Sequence, residues 1–395
     1  MPLSFKELTY VIGSAGTVGQ MHDVRPLHPF DDSVVDFLDD LSRELRGVRD
    51  YPDVATFGFW CRRAALLRER SRYDDVSERL GRGVVFHSTP SNVAVNFAFS
   101  FVVGLLAGNA NIVRLPARPF EQVDIICAAV RELLKGRHAD MAPYVAFVRY
   151  PPVREISDDF SAMCDVRVVW GGDVTVAEMR HSPLPSRSIE VTFADRHSIA
   201  VIDSDAYLAA ENKNAIARGF YNDTYYTDQN ACTSPRIVFW LGGRNEEARD
   251  DFWGRIHGLA SEEYVLTAVQ SVGKLNAAYL VASQRPVRLV ETEDMYVTRV
   301  YVKDVDAGLM DYKYNSGFYF EKDIDSLDEI VGVCDLRCQT LTYFGVPKEE
   351  LVAFIERTRP SGIDRCVPIG KSMDFTLVWD GYDLIRQLSR RITVL

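Results

Sequence analysis

The clearest pattern in the chain lies between residues 83 and 202. Short apolar runs recur there: Val84-Val85-Phe86, Asn111-Ile112-Val113-Arg114, Val145-Ala146-Phe147-Val148, Val166-Arg167-Val168-Val169 and Ile199-Ala200-Val201-Ile202. They alternate with apolar stretches of helical length, from Asn92 to Gly108 and from Pro119 to Leu134. Strands separated by single helices are βαβ units, so the pattern predicts an α/β fold with a largely parallel sheet. Ligands of such sheets gather beyond the carboxyl ends of the strands. Upstream, Val34, Phe37, Leu38, Leu41 and Leu45 recur at helical spacing, as do Phe59, Cys61, Ala65 and Leu66. Residues 1–80 therefore read as helical. Downstream, a helix from Tyr207 to Phe220, a polar turn from Tyr226 to Pro235 and a strand from Arg236 to Trp240 follow in order. The end of the chain reads as a helix from Tyr382 to Arg390 and a short Ile-Thr-Val-Leu strand.

With 395 residues, the chain has material for two or three domains. Its formal charge of −11 argues against a nucleic-acid partner. The seven cysteines are scattered and odd in number, and read as reduced thiols of a cytoplasmic protein. The longest apolar stretch, Val93 to Ala107, falls short of the ~20 residues of a membrane span and reads as a buried helix. No His or Cys spacing suggests a metal site.

Four stretches carry candidate chemistry. Ser88-Thr89-Pro90-Ser91-Asn92 joins a strand to a helix, where Asn92 is either a helix cap or an amide donor facing a ligand. Arg114-Leu115-Pro116-Ala117-Arg118 puts guanidiniums at a strand's end, suited to phosphate or simply solvated. Trp170-Gly171-Gly172-Asp173 is a strand-to-helix turn. Cys232 stands among Gln229, Asn230, Thr233 and Ser234, a setting in which a thiol can be solvated and its pKa lowered, as a nucleophile needs. Cys61, Cys127, Cys164 and Cys366 lie in apolar surroundings and read as core. Gly13-Ser-Ala-Gly16-Thr-Val-Gly19 lacks the dinucleotide spacing and reads as a loop.

Three blocks in this order resemble the LuxC-type fatty acyl-CoA reductases of the aldehyde dehydrogenase superfamily. They are Asp228-Gln-Asn-Ala-Cys232-Thr-Ser-Pro235, the Asn92–Asn109 helix with Ile112-Val-Arg114, and Gly362-Ile-Asp-Arg-Cys-Val-Pro-Ile-Gly370 with Trp379-Asp-Gly-Tyr-Asp-Leu-Ile385. The resemblance covers residues 83–395. It implies an aldehyde dehydrogenase-like fold: an N-terminal helical region (1–80), a nucleotide-binding domain (81–197), a catalytic domain carrying the cysteine (198–362) and a C-terminal segment returning to the nucleotide-binding domain (363–395). It makes Cys232 the nucleophile and Asn92 the oxyanion donor. Thr89, Pro90, Arg114, Pro116, Arg118, Gly171 and Gly172 become the cofactor-binding residues. The implied reaction is reduction of an acyl-CoA or acyl-carrier thioester to an aldehyde through a thioacyl-cysteine. The implied cofactor is NADPH, with NADH as the alternative. A homo-oligomer and an acyl-activating or acyl-transferring enzyme are the partners such a role allows.

The chain also departs from the superfamily pattern. Ala117 replaces a ribose-gripping glutamate, and Thr192-Phe-Ala-Asp-Arg-His197-Ser lacks the Glu-Leu-Gly-Gly-like block of the hydrolytic base. Thr342-Tyr-Phe-Gly345 lacks the glutamate of the late block. His197 reads as a core histidine rather than a proton shuttle. An aldehyde oxidiser, or an acyl carrier or transferase without redox chemistry, are the rival readings.

Overall fold

The structure is a computed structural model that describes residues 5–91, 93–290 and 292–395. The chain divides into two units: one runs to Ala194 and includes Tyr382–Leu395, the other is Asp195–Gly381.

The first unit holds strands β1 (Thr9–Ile12), β2 (Arg79–Gly81), β3 (Val84–Ser88), β4 (Ala110–Arg114), β5 (Val145–Arg149), β6 (Val166–Trp170) and β7 (Ile189–Phe193). Six of them form a sheet of order β1-β5-β4-β3-β6-β7, parallel except for β1. The four central strands, β5, β4, β3 and β6, are buried on both faces, which is why they read as continuous apolar runs. Ser88 lies opposite both Arg114 and, on the other side, Val169, so the carboxyl ends of β3, β4 and β6 are level. The strand order reverses between β3 and β6, and that reversal is where such sheets open a ligand crevice.

The helices of this unit are α1 (Ala15–Gly19), α2 (Asp32–Leu45), α3 (Pro52–Trp60), α4 (Arg63–Arg70), α5 (Asn96–Leu106), α6 (Glu121–Lys135), α7 (Arg154–Met163) and α8 (Asp173–Arg180). The glycine stretch after Gly13, expected as a loop, holds α1. Ser14 caps it by accepting from Thr17 N at 3.1 Å, and Val18 is buried. The helix expected across Phe59–Leu66 is two helices, because Asp39 of α2 accepts from Arg63 N at 2.9 Å and opens α4 there. α5 is apolar on nearly every face and buried, with Phe101 edge-on to Phe147 of β5 at 4.8 Å. No helix among the described residues is long and apolar enough to cross a membrane. At the C-terminus the helix is shorter than expected (Leu384–Leu388). The strand falls at Ser389–Arg391 rather than the last four residues, because there it pairs antiparallel with β2. Buried Asn109 ties this ending down: its amide donates to Leu388 O at 2.9 Å, and its Oδ1 accepts from Arg82 N at 2.7 Å.

The second unit holds β8 (His197–Asp203), β9 (Pro235–Leu241), β10 (Val287–Leu289), β11 (Thr298–Val302), β12 (Phe318–Ile324), β13 (Cys338–Phe344) and β14 (Arg365–Pro368). Their order is β10-β11-β12-β9-β8-β13-β14, parallel except for β10. The helix expected over Tyr207–Phe220 is α9 (Ser204–Ala209) and α10 (Lys213–Thr224). Each is opened by its own cap: Asp203 accepts from Ala206 N at 2.7 Å and Asn212 from Ala215 N at 3.0 Å. Further helices are α11 (Asn245–Glu263), α12 (Ala268–Gln284) and α13 (Lys348–Thr358). Separate apolar clusters cover the two faces of the sheet, one around Ile199, Phe239 and Phe320, the other around Ile202, Trp240 and Tyr319. Residues 363–381, expected with the returning C-terminal segment, stay in this unit because β14 pairs with β13.

Candidate active site

α10 ends at Thr224 and β9 begins at Pro235, so the chain must turn sharply between them. It does so with two consecutive left-handed residues, Asp228 (φ 52°) and Gln229 (φ 51°). The Gln229 side chain is fully buried and locks the turn. Its Oε1 accepts from Gly317 N at 2.7 Å and Phe318 N at 3.2 Å, and its Nε2 donates to Pro235 O and Phe318 O. Arg236 donates to Gln229 O and, at 2.8 Å, to Tyr314 O. Ser198 Oγ donates to Cys232 O at 2.7 Å and accepts from Thr340 N at 3.2 Å, fixing the cysteine's backbone between β8 and β13.

Cys232 thus sits at the amino ends of parallel strands, not the carboxyl ends. The strand starts level with it bring together side chains distant in sequence. Arg196 precedes β8, Gln339 is near the start of β13, and Asp364 and Arg365 open β14. The Gln339 amide donates to Asp380. Arg196 pairs with Asp364 and stands 3.9 Å from Asp380. Asp380 adopts a left-handed turn (φ 51°) that carries its carboxylate into this cluster. A second support comes from α10, where Asp223 accepts from Gly370 N at 2.6 Å and Ser372 N at 3.1 Å. Gly370 (φ 86°) comes so close to α10 that a Cβ on Gly219 would lie 3.1 Å from its Cα. The loop so held places Met373 Sδ 3.2 Å from the Thr233 hydroxyl.

The electrostatics correct one expectation. Three of the polar neighbours of Cys232 turn inward: Gln229, Thr233 and Ser234 are buried, while Asn230 is exposed. Burial, and then the Asp380 carboxylate, push the thiol up to about 12, against the Gln339 amide and the Arg196 guanidinium, which act to lower it. Burial also raises Asp380 and Asp223 to about 6 each. Among the other cysteines, Cys61, Cys127, Cys164, Cys334 and Cys338 are buried, and burial raises half-buried Cys366 to about 11. His197 is buried with Nε2 3.0 Å from Val333 O, a core role. Thr342 donates to Ile199 O at 3.2 Å. Arg196, Gln339 and Asp380 escaped the sequence reading. The only signal for them was that Arg196 lies in the stretch 192–198, and that Asp380 lies in the C-terminal block.

In the first unit, the residues expected to bind cofactor gather at the level carboxyl ends of β3, β4 and β6. Thr89 Oγ1 donates to Arg114 O at 2.6 Å. The Arg114 guanidinium lies 4.4 Å over the Tyr150 ring, and Arg118 is exposed, 5.2 Å over Phe120. Pro90 is half-buried and Pro116 buried. Gly171 N donates to Phe193 O at 3.1 Å, and Gly172 begins α8 without a side-chain cap. Asn92 lies outside the described residues.

Residues 61–250 match the LuxC family of acyl-CoA reductases. Over that stretch the chain is similar to the LuxC family. It is 21% identical over 323 residues to a long-chain acyl-protein thioester reductase of Photorhabdus laumondii, covering 79% of this chain and 63% of that protein. It is 25% identical over 167 residues to a long-chain acyl-protein thioester reductase of Vibrio harveyi, covering 42% and 34%. The chain therefore spans less than two thirds of the length of these relatives. The fold is that of aldehyde dehydrogenases. An aldehyde dehydrogenase from Physcomitrella patens, solved with succinate, has a TM-score of 0.63 at 11% identity over 91% of this chain and 84% of its own. An oxidoreductase from Marinobacter aquaeolei has a TM-score of 0.65 at 11% identity over 95% and 88%.

Proposed function

We propose that this protein reduces an acyl thioester, carried by CoA or a carrier protein, to an aldehyde at the expense of NADPH. The observation that carries the reading is the Cys232 turn: a single thiol whose backbone Ser198 and Thr340 fix at the amino ends of β8, β9 and β13. Cys232 Sγ attacks the thioester carbon, the carbon–sulfur bond to the carrier breaks, and the thiol's proton leaves with the carrier thiol. Asn92 and the Cys232 N–H are the proposed donors to the oxyanion of that step, each such donor being worth about 3–4 kcal/mol in other enzymes. A reduced nicotinamide, when bound, supplies a hydride to the acyl carbon. The C–Sγ bond then breaks, releasing the aldehyde and restoring Cys232.

The residues after β3, β4 and β6 fit a dinucleotide. The α8 N-terminus carries no side-chain cap, leaving its N–H groups for a pyrophosphate, with Gly171 and Gly172 allowing close approach. Thr89 and Pro90 would flank the nicotinamide ribose. Arg114 and Arg118, with Ala117 in place of a carboxylate, favour a 2′-phosphate and hence NADPH. The hydrolytic base of an oxidiser has no counterpart along His197-Ser198, whose side chains bond Val333 O and Cys232 O. One observation favours the aldehyde-oxidising alternative: Asp380, a buried carboxylate beside the thiol, could serve as base for water. The assay that decides supplies acyl-CoA with NADPH or NADH, and separately aldehyde with NADP⁺ and no thiol acceptor. Aldehyde formation with a higher kcat/KM for NADPH is expected, and Arg114→Ala narrows that preference. Carboxylic acid formed from aldehyde without a thiol acceptor would overturn the reading.

A further inference from the structure

On the α5 side, the sheet of the first unit carries polar side chains where apolar ones would pack, and they form a single directed chain. Asn111 of β4 donates from Nδ2 to Asn109 O at 2.7 Å, and a backbone carbonyl can only accept. That fixes the amide, so Asn111 Oδ1 faces His87 Nε2 at 3.0 Å and accepts its proton. With the proton on Nε2, Nδ1 of the neutral ring accepts from Ser100 Oγ of α5 at 2.7 Å. Ser100 Oγ in turn accepts from the indole N–H of Trp170 at 2.9 Å. His87 and Asn111 are fully buried, Ser100 and Trp170 nearly so. Burial also disfavours the imidazolium, whose second N–H would break the bond from Ser100. α5 is shaped around the pair: a Cβ on Gly104 would collide with Asn111 Oδ1 and lie 2.9 Å from His87 Nε2. A core relay of this kind is tolerable only when every member is bonded, and apolar side chains would fill the same space without that demand.

The relay ends at Trp170, and Trp170 stands at the crevice. Ser88 of β3 pairs with Val169 of β6, so Trp170 is level with Thr89 where the strand order reverses. The indole is held twice. Its N–H is bonded to Ser100, and its ring is stacked on Phe193 of β7, with centroids 3.6 Å apart and planes 13° from parallel. Tyr382 backs Phe193 edge-on at 5.8 Å. We propose that the Trp170 indole walls the nicotinamide end of the cofactor crevice, and that Ser100, His87 and Asn111 are positioning residues that fix it there. The inference rests on the reading of Thr89 and Gly171-Gly172 as cofactor contacts. A ring held at both its N–H and its face presents a wall of one shape, so the nicotinamide meets it without a cost of ordering the side chain.

The test is a titration with NADPH, and separately with NADH, followed by nicotinamide emission sensitised through tryptophan excitation. The chain has five tryptophans, so Trp170→Phe, which keeps a ring to stack on Phe193, isolates the share of Trp170. It should remove most of the sensitised emission at saturation. Ser100→Ala leaves the indole N–H and His87 Nδ1 without partners, and Gly104→Ala drives Asn111 off His87 from the far end of the relay. Both should raise the Kd for the preferred nucleotide about threefold to tenfold, as expected for one lost hydrogen bond, and lower the emission at saturation. Ser100→Ala, which only deletes an oxygen, carries the test where Gly104→Ala fails to fold. A merely structural relay would lower the melting temperature of these variants and leave Kd and emission at wild-type values. That result, or undiminished emission in Trp170→Phe, overturns the proposal while the cofactor reading stands. Wild type that binds neither NADPH nor NADH overturns the cofactor reading itself, and this inference with it.

Discussion

Cys232 owes its electrostatic setting to residues far away in the chain. The thiol is pushed up to about 12 by burial and by Asp380, which enters from a turn near the end of the second unit. Asn92 is the residue whose two readings give different numbers. As an oxyanion donor, Asn92→Ala leaves stability nearly intact and lowers kcat about 10²–10³-fold. As a helix cap only, it costs about 0.5–2 kcal/mol of stability with the acylation rate unchanged. Melting temperature and pre-steady-state acylation, measured on the same protein, separate the two, and the first outcome is expected. Cys232 stands out in the sequence because polar residues bracket it. The sense of its pKa shift does not, because sequence neighbours give composition and not direction. Gln229, Thr233 and Ser234 turn inward to bond backbone and core groups, so their polarity never reaches the sulfur.

At the scale of elements, the strands were legible because both faces of each sheet are covered. Val84–Phe86, Asn111–Arg114, Val145–Val148 and Val166–Val169 fall inside observed strands. The helices that were misread share one cause. The breaks after Ala209 and at Cys61-Arg62 are made by capping contacts, Asn212 to Ala215 N and Asp39 to Arg63 N. The second of these reaches between helices and leaves no periodic trace. The turn carrying Cys232 is the element on which the proposed chemistry depends, and Gln229 is its lock. Gln229→Ala orphans the N–H groups of Gly317 and Phe318, each at about 1–3 kcal/mol. The variant is expected to melt lower and to alkylate at Cys232 faster than wild type. An unchanged melting temperature, measured by calorimetry, would show that the turn holds itself without this side chain.

At the scale of the whole molecule, the two units carry buried titratable groups of opposite sense. In the first, burial lowers His87 to about 4, below its ordinary 6.5, although its Nε2 meets Asn111 Oδ1 at 3.0 Å and Nδ1 meets Ser100 Oγ at 2.7 Å. Between pH 6.5 and 4 the unfolded chain therefore binds more protons at this histidine, and stability is lost as pH falls. The loss amounts to up to about 3 kcal/mol. In the second unit, Asp223 and Asp380 sit near 6 and are protonated in the folded state first, so over roughly pH 6 to 4 they add stability as pH falls. Thermal unfolding followed from pH 7 to 4 should show a gentler acid slope in His87→Gln than in wild type, and a steeper one in Asp223→Asn. Equal slopes in all three would contradict these assignments. The sheet orders that bring such groups together were out of reach of the sequence, since periodicity marks a strand and says nothing of its neighbour.

The central claim, that Cys232 is acylated by a thioester, is tested most directly by intact mass after mixing the protein with a long-chain acyl-CoA in the absence of nicotinamide. The account predicts one acyl adduct, mapped to Cys232, absent from Cys232→Ser and discharged when NADPH is added. An adduct on another cysteine, or an undiminished adduct in Cys232→Ser, would contradict it.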